Sequence, residues 1–444
     1  MINEETLSSF KKRFNDNREN VVIKNAVAKV GINDVSFNNE ALRRHNFVFS
    51  EETKKGEITN QKNSGRCWMF AALNTARIDT MEKLNKDTFE FSENYTLFWD
   101  KLEKSNYFLD SILDTLDEAQ DSRLIAHLLM APVQDGGQWD MFAGILNKYG
   151  AVPKEAMPET FHSSKTAILN DILTSKLRQY AKDLRIAHKD GKTIGELQDM
   201  KEDMLYFIYN ILVKALGEIP ETFTYEYRDR DNQFHRIAES TPQDFFNNYV
   251  GWDLEDMVSL LNAPTKDKPY GRAYTVKYLG TVKEEKQITY INAPIEALKK
   301  AAIESIEAGE PVWFGCDVGK MSDRQLGIMD SKAFEYDLTL GEGIDLDKAE
   351  RLDYGESLLT HAMVLIGVDL DNEGKSLNWK VENSWGDKVG KKGIFSMDDA
   401  WFDEYTYQIA VNKRYIDEKW MKALDKPIIE LEPWDPMGAL ALVK

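Results

Sequence analysis

The chain has 444 residues, 42% of them hydrophobic and 11% aromatic, a composition typical of a folded globular protein. Its 75 acidic and 56 basic side chains give a formal net charge of −19. This charge repels phosphate backbones and argues against nucleic-acid binding. No apolar run approaches the roughly 20 residues that cross a bilayer, and the N-terminus lacks the apolar core of a signal peptide. We therefore expect a cytoplasmic protein that does not insert into membranes.

The periodicity of the sequence divides the chain into segments of different character. Helical patterns dominate from Cys67 onward, with helices predicted over 91–102, 110–130, 163–190 and 194–217. From about residue 270 the period changes toward strands, interrupted by an acidic, irregular stretch over 320–356. We expect an N-terminal arm, a helical half, an inserted helical region, a β half and a C-terminal tail, over 1–60, 61–162, 163–250, 251–430 and 431–444.

The clearest β feature is a hairpin late in the chain. Residues 361–368 form a near-continuous apolar strand, and residues 377–383 alternate apolar with polar side chains. The segment between them is rich in Asp, Asn and Gly, as expected for a turn. Folding the hairpin about its middle places His361, at the start of the first strand, beside Asn383, at the end of the second.

Cys67 lies where a loop containing Gly65 becomes an apolar helix. Most free cysteines are small buried hydrophobes, and we favour that interpretation for Cys316, the second of the two cysteines, at the end of an apolar strand. At a helix N-terminus, in contrast, unpaired N–H groups and the macrodipole favour a thiolate. The amide of Gln61 and the N–H of Cys67 can face one oxygen, as an oxyanion hole requires. Cys67 is therefore a candidate nucleophile.

His361 is the candidate base for this thiol. The amide oxygen of Asn383 can accept from one ring nitrogen, which leaves the other nitrogen to take the thiol proton. Trp385 can cover that hydrogen bond and keep water from it. The other histidines lie in charged surroundings without a partner motif: His45, His127, His162, His188 and His235.

Gly136 and Gly137 remove side chains from a loop, which lets another backbone approach closely. They predict either a wall along which an extended peptide lies or an ordinary tight turn. Metal and nucleotide sites are not indicated, because the sequence has no His-Glu-x-x-His, Cys-x-x-Cys or Walker-type motif and its histidines are scattered. We expect no cofactor.

In order along the chain, these motifs resemble the papain-like cysteine peptidases. They are similar above all to the bleomycin hydrolase and aminopeptidase C branch, on the stretches Asn63–Phe70, Trp379–Trp385 and Pro433–Ala441. The resemblance implies an α+β, papain-like fold, with the nucleophile helix in a helical half, His361 and Asn383 in an antiparallel β half, and an inserted helical hook region. It also implies a homohexamer whose active sites face an internal cavity.

The resemblance assigns catalytic roles to Cys67, His361, Asn383 and Gln61, and it implies that the tail limits the enzyme to exo action. In the resembled branch the tail lies along the cleft, and its terminal carboxylate pairs with the free amino group of a peptide. The substrate-binding residues then expected are Gly136, Gly137, Trp385, Ala441 and Lys444.

We therefore expect a cysteine peptidase that removes N-terminal amino acids from peptides through a Cys-His-Asn acyl-enzyme mechanism. Residues 442–444 extend past Ala441, where the family tail should end, and this extension favours an alternative, an oligopeptide endopeptidase of the same fold. The third interpretation, a ring-shaped scaffold without catalysis, is disfavoured by the intact set of Gln, Cys, His and Asn.

Overall fold

Twelve strands form one mixed sheet in the computed structural model, which describes residues 1–440. A separate two-stranded hairpin pairs Phe223–Arg228 with Phe234–Ser240. In spatial order the strands of the large sheet are Ile429–Leu431, Arg272–Val276, Tyr290–Asn292, Met257–Leu261, Thr406–Asn412, Val312–Cys316, His361–Leu370, Ser376–Glu382, Ile394–Asp398, Ile328–Met329 and Ser322–Asp323, with Glu51–Glu52 added beside His361–Leu370.

Helices cover both faces of this sheet, and none within residues 1–440 is long and apolar enough to cross a membrane. A short π-helix spans Phe246–Val250. The α-helices are Glu4–Asp16, Arg18–Val30, Ile32–Ser36, Ala41–Arg44, Cys67–Lys83, Glu93–Asp114, Arg123–Met130, Trp139–Tyr149, Phe161–Ser164, Ala167–Lys189, Ile194–Leu216, Pro242–Phe245, Ile295–Glu307, Tyr336–Leu340, Lys348–Asp353, Asp399–Tyr405 and Glu418–Met421.

The predicted hairpin is present, with strands of His361–Leu370 and Ser376–Glu382 paired antiparallel. Its first strand is apolar on both faces because the sheet is covered on both sides. Ala362 and Val364 join the core on the side of the helical half, whereas Met363 joins the opposite core. We call this first strand the histidine strand.

The helix Cys67–Lys83, here called the nucleophile helix, is buried along almost its whole length. It is apolar on nearly every side at its start, as expected for a helix inside a core. The helix packs against the histidine strand. The indole N–H of Trp313, on the neighbouring strand, donates to the carbonyl of Trp68 at 3.0 Å. The start of the nucleophile helix is thereby fixed to the β half.

One helix runs unbroken over Glu93–Asp114, where the sequence pattern predicts a gap between residues 102 and 110. The charged residues in that gap, Glu103 and Lys104, are buried in ion pairs, which helical periodicity alone does not reveal. The Nζ atom of Lys104 lies 2.9 Å from Asp100, one turn earlier. The irregular stretch predicted over 320–356 likewise contains short strands and helices, among them Lys348–Asp353.

The helices Ala167–Lys189 and Ile194–Leu216 pack on the helix Glu93–Asp114 through buried leucines. The first of them begins beside the loop that supports the nucleophile. Thr166 and Asn170, at its start, both hydrogen-bond to Asp135. This helical region therefore contributes directly to the geometry of the site.

Candidate active site

Cys67 is fully buried and is the first residue of the nucleophile helix. The residue before it, Arg66, is also buried and makes two hydrogen bonds of 2.8 Å to the carboxylate of Glu159. The N–H of Gly65 donates to Asp135 at 2.8 Å. Two acidic side chains from elsewhere in the chain therefore fix the loop that presents the thiol.

Asp135 holds this loop to the helical half, a role that the sequence does not reveal. Its carboxylate accepts from Lys101 at 2.7 Å and from Asn170 at 2.8 Å, and its backbone carbonyl accepts from the indole of Trp68 at 2.6 Å. Burial by itself raises the pKa of Asp135, but Lys101 and the hydrogen bonds from Thr166 and Gly65 hold it well below its usual range. Asp135 is therefore an anion inside the protein.

His361 and Asn383 meet at the open end of the hairpin. The ring Nε2 of His361 lies 2.9 Å from the amide oxygen of Asn383, and both residues are buried. The same oxygen accepts from the N–H of Ser384 at 2.8 Å, which fixes the orientation of the amide. The other ring nitrogen, Nδ1, has no hydrogen-bond partner within residues 1–440. Nδ1 is thus the nitrogen left to exchange a proton with a thiol.

Trp385 covers the imidazole of His361. The two ring centroids are 4.8 Å apart, with 31° between the ring planes. The guanidinium of Arg324 lies over the Trp385 ring, 4.2 Å from its centroid. Sequence reasoning assigned a covering role to Trp385 but did not identify Arg324.

Gln61 is tied to the segment that follows Asn383. Its backbone N–H donates to the carbonyl of Ser384 at 2.8 Å, and its side-chain oxygen accepts from the Ser384 hydroxyl at 2.7 Å. One N–H of the amide donates to Ser64 at 2.7 Å. A primary amide carries two N–H groups, so the other N–H is the one that an oxyanion hole requires. Ser384 lies within the stretch Trp379–Trp385, but its side-chain partner Gln61 is 323 positions away, so the sequence alone does not reveal this contact.

The protonation states of the two central groups follow from burial. Burial raises the pKa of Cys67 to about 12, although the N–H groups of Ala362, Trp68 and Cys67 itself lower it. Burial lowers the pKa of His361 to about 4, although the Asn383 hydrogen bond raises it. The helix N-terminus thus acts in the direction expected for a thiolate, but desolvation is the larger effect. The structure favours a neutral thiol and a neutral imidazole.

The two glycines lie behind the nucleophile. A Cβ atom on Gly137 would come within 2.5 Å of the Trp68 ring, so this position requires close approach to an indole. The carbonyl of Gly136 accepts from the ammonium of Lys104 at 2.6 Å.

The C-terminal tail is docked as far as the structure describes it. The side chain of Gln138, directly after the two glycines, donates to the carbonyls of Met437 and Ala439 at 3.2 and 2.7 Å. Lys268 pairs with Asp435 at 2.9 Å. Ala441 and Lys444, expected to bind substrate, lie outside the described residues. Gln138 was not identified from the sequence, although it lies beside the glycine pair.

Comparisons with known proteins identify the family of this chain. The model of the Peptidase C1-like family matches residues 1–438. The chain belongs to the Peptidase C1-like family. It is 49% identical over 438 residues to aminopeptidase C of Listeria monocytogenes serovar 1/2a, which covers 99% of this chain and 98% of that protein. It is 40% identical over 449 residues to bleomycin hydrolase of Homo sapiens, covering 99% of each chain.

The crystal structure of PepW from Lactobacillus rhamnosis HN001 matches with a TM-score of 0.97 and 48% identity, over 99% of both chains. These similarities confirm the predicted α+β papain-like fold and the predicted branch of the family. They also confirm the enzyme class, a papain-like cysteine aminopeptidase of the bleomycin hydrolase type. Within residues 1–440 no cluster of three or more His, Cys, Asp or Glu side chains is arranged to hold a metal.

Replacing Gln61 with alanine is expected to lower kcat by about 10² to 10³, because one oxyanion donor is lost. The change also leaves the Ser384 hydroxyl without its acceptor, so Ser384→Ala is the matched control. That variant removes the same hydrogen bond but keeps the donor, and we expect it to retain most of the activity. Steady-state kinetics of the two variants test the assignment, which similar losses in both would contradict.

Folding stability should fall as the pH is lowered from about 6.5 to about 4, because His361 is buried in its neutral form. An unfolded histidine titrates near 6.5, whereas the pKa of His361 in the folded protein is about 4. Between these values the unfolded chain binds the extra proton, so this contribution, on the order of 3 kcal/mol, is complete above pH 6.5 and lost by pH 4. Urea denaturation at pH 4.5, 5.5 and 7 should show a weaker dependence in His361→Gln; equal slopes would contradict the prediction.

Proposed function

We propose that the protein removes amino acids from the N-terminus of peptides through an acyl-enzyme formed on Cys67. The observation that carries the proposal is the hydrogen bond of 2.9 Å between His361 and Asn383. The residue after His361, Ala362, bonds to the Cys67 sulfur through its backbone N–H. His361 and Ala362 are consecutive residues of the histidine strand. We infer from this neighbourhood that the imidazole lies within reach of the thiol.

The reaction begins with a neutral pair. As the Cys67 sulfur bonds to the scissile carbonyl carbon, its proton passes to Nδ1 of His361. The carbonyl oxygen becomes an anion that faces the amide N–H of Gln61 and the backbone N–H of Cys67. Asn383 keeps the imidazole oriented throughout, because it binds the nitrogen that does not exchange the proton.

Collapse of the tetrahedral intermediate breaks the peptide C–N bond, and His361 gives its proton to the leaving amine. A water molecule then attacks the thioester carbon while His361 accepts one of its protons. The C–S bond breaks, and His361 returns this proton to the Cys67 sulfur. The released products are the N-terminal amino acid and the shortened peptide. Trp385 shields the imidazole from bulk water in both steps.

Exo action is supported by the docked tail. Gln138 holds the tail by two hydrogen bonds next to Gly136 and Gly137, the loop behind the nucleophile. We infer that the described end of the tail restricts the cleft and that Gly136, Gly137 and Trp385 line the bound peptide. Ala441 and Lys444, the other expected substrate-binding residues, lie outside the described residues. Enzymes named aminopeptidase C are among the relatives.

The test compares one peptide with a free and with an acetylated N-terminus. Cleavage of the free peptide alone, releasing its first residue, supports exo action limited by the tail. Equal cleavage of both forms would support the alternative, an oligopeptide endopeptidase, which residues 442–444 favour because they extend past Ala441. Failure of the wild-type enzyme to cleave either peptide would favour a scaffold without catalysis.

We further propose a cytoplasmic homohexamer. The helices of residues 1–36 and 167–216 leave large apolar side chains exposed, such as Phe10, Ile172 and Phe207. Such surfaces are typical of subunit contacts. Light scattering of the purified protein measures the oligomeric state directly.

A further inference from the structure

Arg324 lies next to the catalytic histidine without taking part in the proton transfers. Its guanidinium carbon is 4.2 Å from the centroid of the Trp385 ring, which in turn packs on the imidazole of His361. Arg324 is also the charged residue whose field lowers the pKa of His361, after the larger effect of burial. The positive charge of Arg324 is therefore close enough to act on the imidazole of His361.

The guanidinium of Arg324 has no counter-charge among the residues that the structure describes. No carboxylate within residues 1–440 lies within 4.0 Å of it, although the chain carries 75 acidic side chains. The neighbouring Asp323 uses its carboxylate to accept from the N–H groups of Gln325 and Leu326, both at 2.9 Å. Arg324 is exposed, and the guanidinium, which carries five N–H donors, contacts the Trp385 ring through its carbon at 4.2 Å from the centroid.

The turn that carries Arg324 is held in place. Its carbonyl accepts from the N–H of Gly390 at 3.2 Å, and Gly327 packs against the same glycine so closely that a Cβ would come within 2.6 Å of it. The following strand, Ile328–Met329, pairs with Ser396 and Met397. Arg324 is thus presented by a fixed backbone rather than by a free loop.

The side of the scissile bond on which Arg324 lies follows from the reaction. His361 gives its proton to the leaving amine, so the departing peptide passes the imidazole and the tryptophan that covers it. The tail lies between the two halves, where Gln138 of the helical half binds Ala439 and Lys268 of the β half pairs with Asp435. Arg324 contacts Trp385 on the β half. A short peptide between them has its amino end toward the tail and its carboxyl end toward Arg324.

We propose that Arg324 is a specificity residue that binds a carboxylate on the leaving-group side of the substrate. That carboxylate is the C-terminus of a dipeptide or tripeptide, or an acidic side chain just after the scissile bond, since each extended residue spans about 3.3 Å. Arginine suits this purpose because its planar fork matches a carboxylate and stays charged. This inference rests on the proposed function, because it requires a leaving amine beside His361.

Two synthetic substrates test the inference, alanyl-4-aminobenzoate and alanyl-4-aminobenzamide, whose leaving groups differ by one negative charge and little in size. We expect the wild-type enzyme to favour the benzoate in kcat/KM by about fivefold, as for an exposed ion pair, and less at high salt. Arg324→Gln should lose this preference, Arg324→Glu should invert it, and Arg324→Lys should keep part of it. The benzamide should be cleaved within about twofold of the wild-type rate by all three.

Lys375→Gln is the matched control. It removes the same charge from the turn at the far end of the hairpin, and it should leave the preference unchanged. A preference that persists in Arg324→Gln would overturn the inference, as would equal losses on both substrates, which indicate a structural role. Wild-type cleavage of both substrates at equal rates would overturn it while leaving the proposed function intact. No cleavage of either substrate by the wild-type enzyme would overturn both.

Discussion

Replacing Cys67 with alanine is expected to lower kcat by about 10⁴-fold or more, whereas the protein stays folded. In the proposed mechanism the sulfur bonds to the substrate, and removing a nucleophile leaves only the oxyanion donors and binding contacts to act. The thiol is buried and burial raises its pKa, which favours the neutral form, so alanine leaves no unpaired charge in the core. Kinetics with an aminoacyl substrate and the thermal unfolding midpoint measure the two effects.

Cys316 provides the control within the same chain. It is equally buried and lies opposite His361 on the neighbouring strand, but it has no place in the proposed mechanism. Cys316→Ala should keep most of the activity and lose stability through the small cavity it creates. Iodoacetamide should inactivate Cys316→Ala and label Cys67. Comparable loss of activity in both alanine variants would contradict the assignment of the nucleophile.

Asp135→Asn is expected to reduce both stability and activity. The change leaves the ammonium of Lys101 buried without its anion, and breaking a buried ion pair typically costs 3–5 kcal/mol. We expect about 3 kcal/mol, the lower end, because Asp100 lies 4.0 Å from the same ammonium. Activity should fall as well, because the carboxylate also holds the N–H of Gly65 in the nucleophile loop.

Two further variants separate these effects. In Asp135→Asn with Lys101→Met no buried charge is left over, so part of the stability should return while activity stays low. Lys54→Met breaks an exposed pair with Glu82, and it should change stability by less than about 1 kcal/mol. Urea denaturation of all four proteins provides the measurement. If Asp135→Asn alone were as stable as the wild type, Asp135 would not be needed to stabilise the buried charge of Lys101.

Much of the fold and the central pair of the site could be predicted from the sequence, because their information is local. The hairpin follows from an apolar strand, a polar turn and an alternating strand, and it alone brings His361 to Asn383. The start of the nucleophile helix follows from the change of pattern at Cys67. The family motifs supplied the order of these parts.

The supporting contacts could not be predicted, because their partners are distant in sequence and polar inside the core. Asp135 meets Lys101 and Thr166, about 30 positions away on either side, and periodicity does not mark buried charges. For the same reason the sequence pattern predicts two helices where the structure has one continuous helix, Glu93–Asp114. Arg324 lies in a stretch predicted to be irregular, and only the three-dimensional structure places it over Trp385.

The pairing of Gln61 with Ser384 has a consequence for how the enzyme is inactivated. The strand-like segment ending at Gln61 and the segment after Asn383 share three hydrogen bonds, the third from Gly386 to Thr59 at 3.0 Å. In the proposed mechanism Gln61 holds the oxyanion and His361 is the base, so separating these two segments removes both functions together. We therefore expect activity to be lost in one step when this contact opens, with no partly active form.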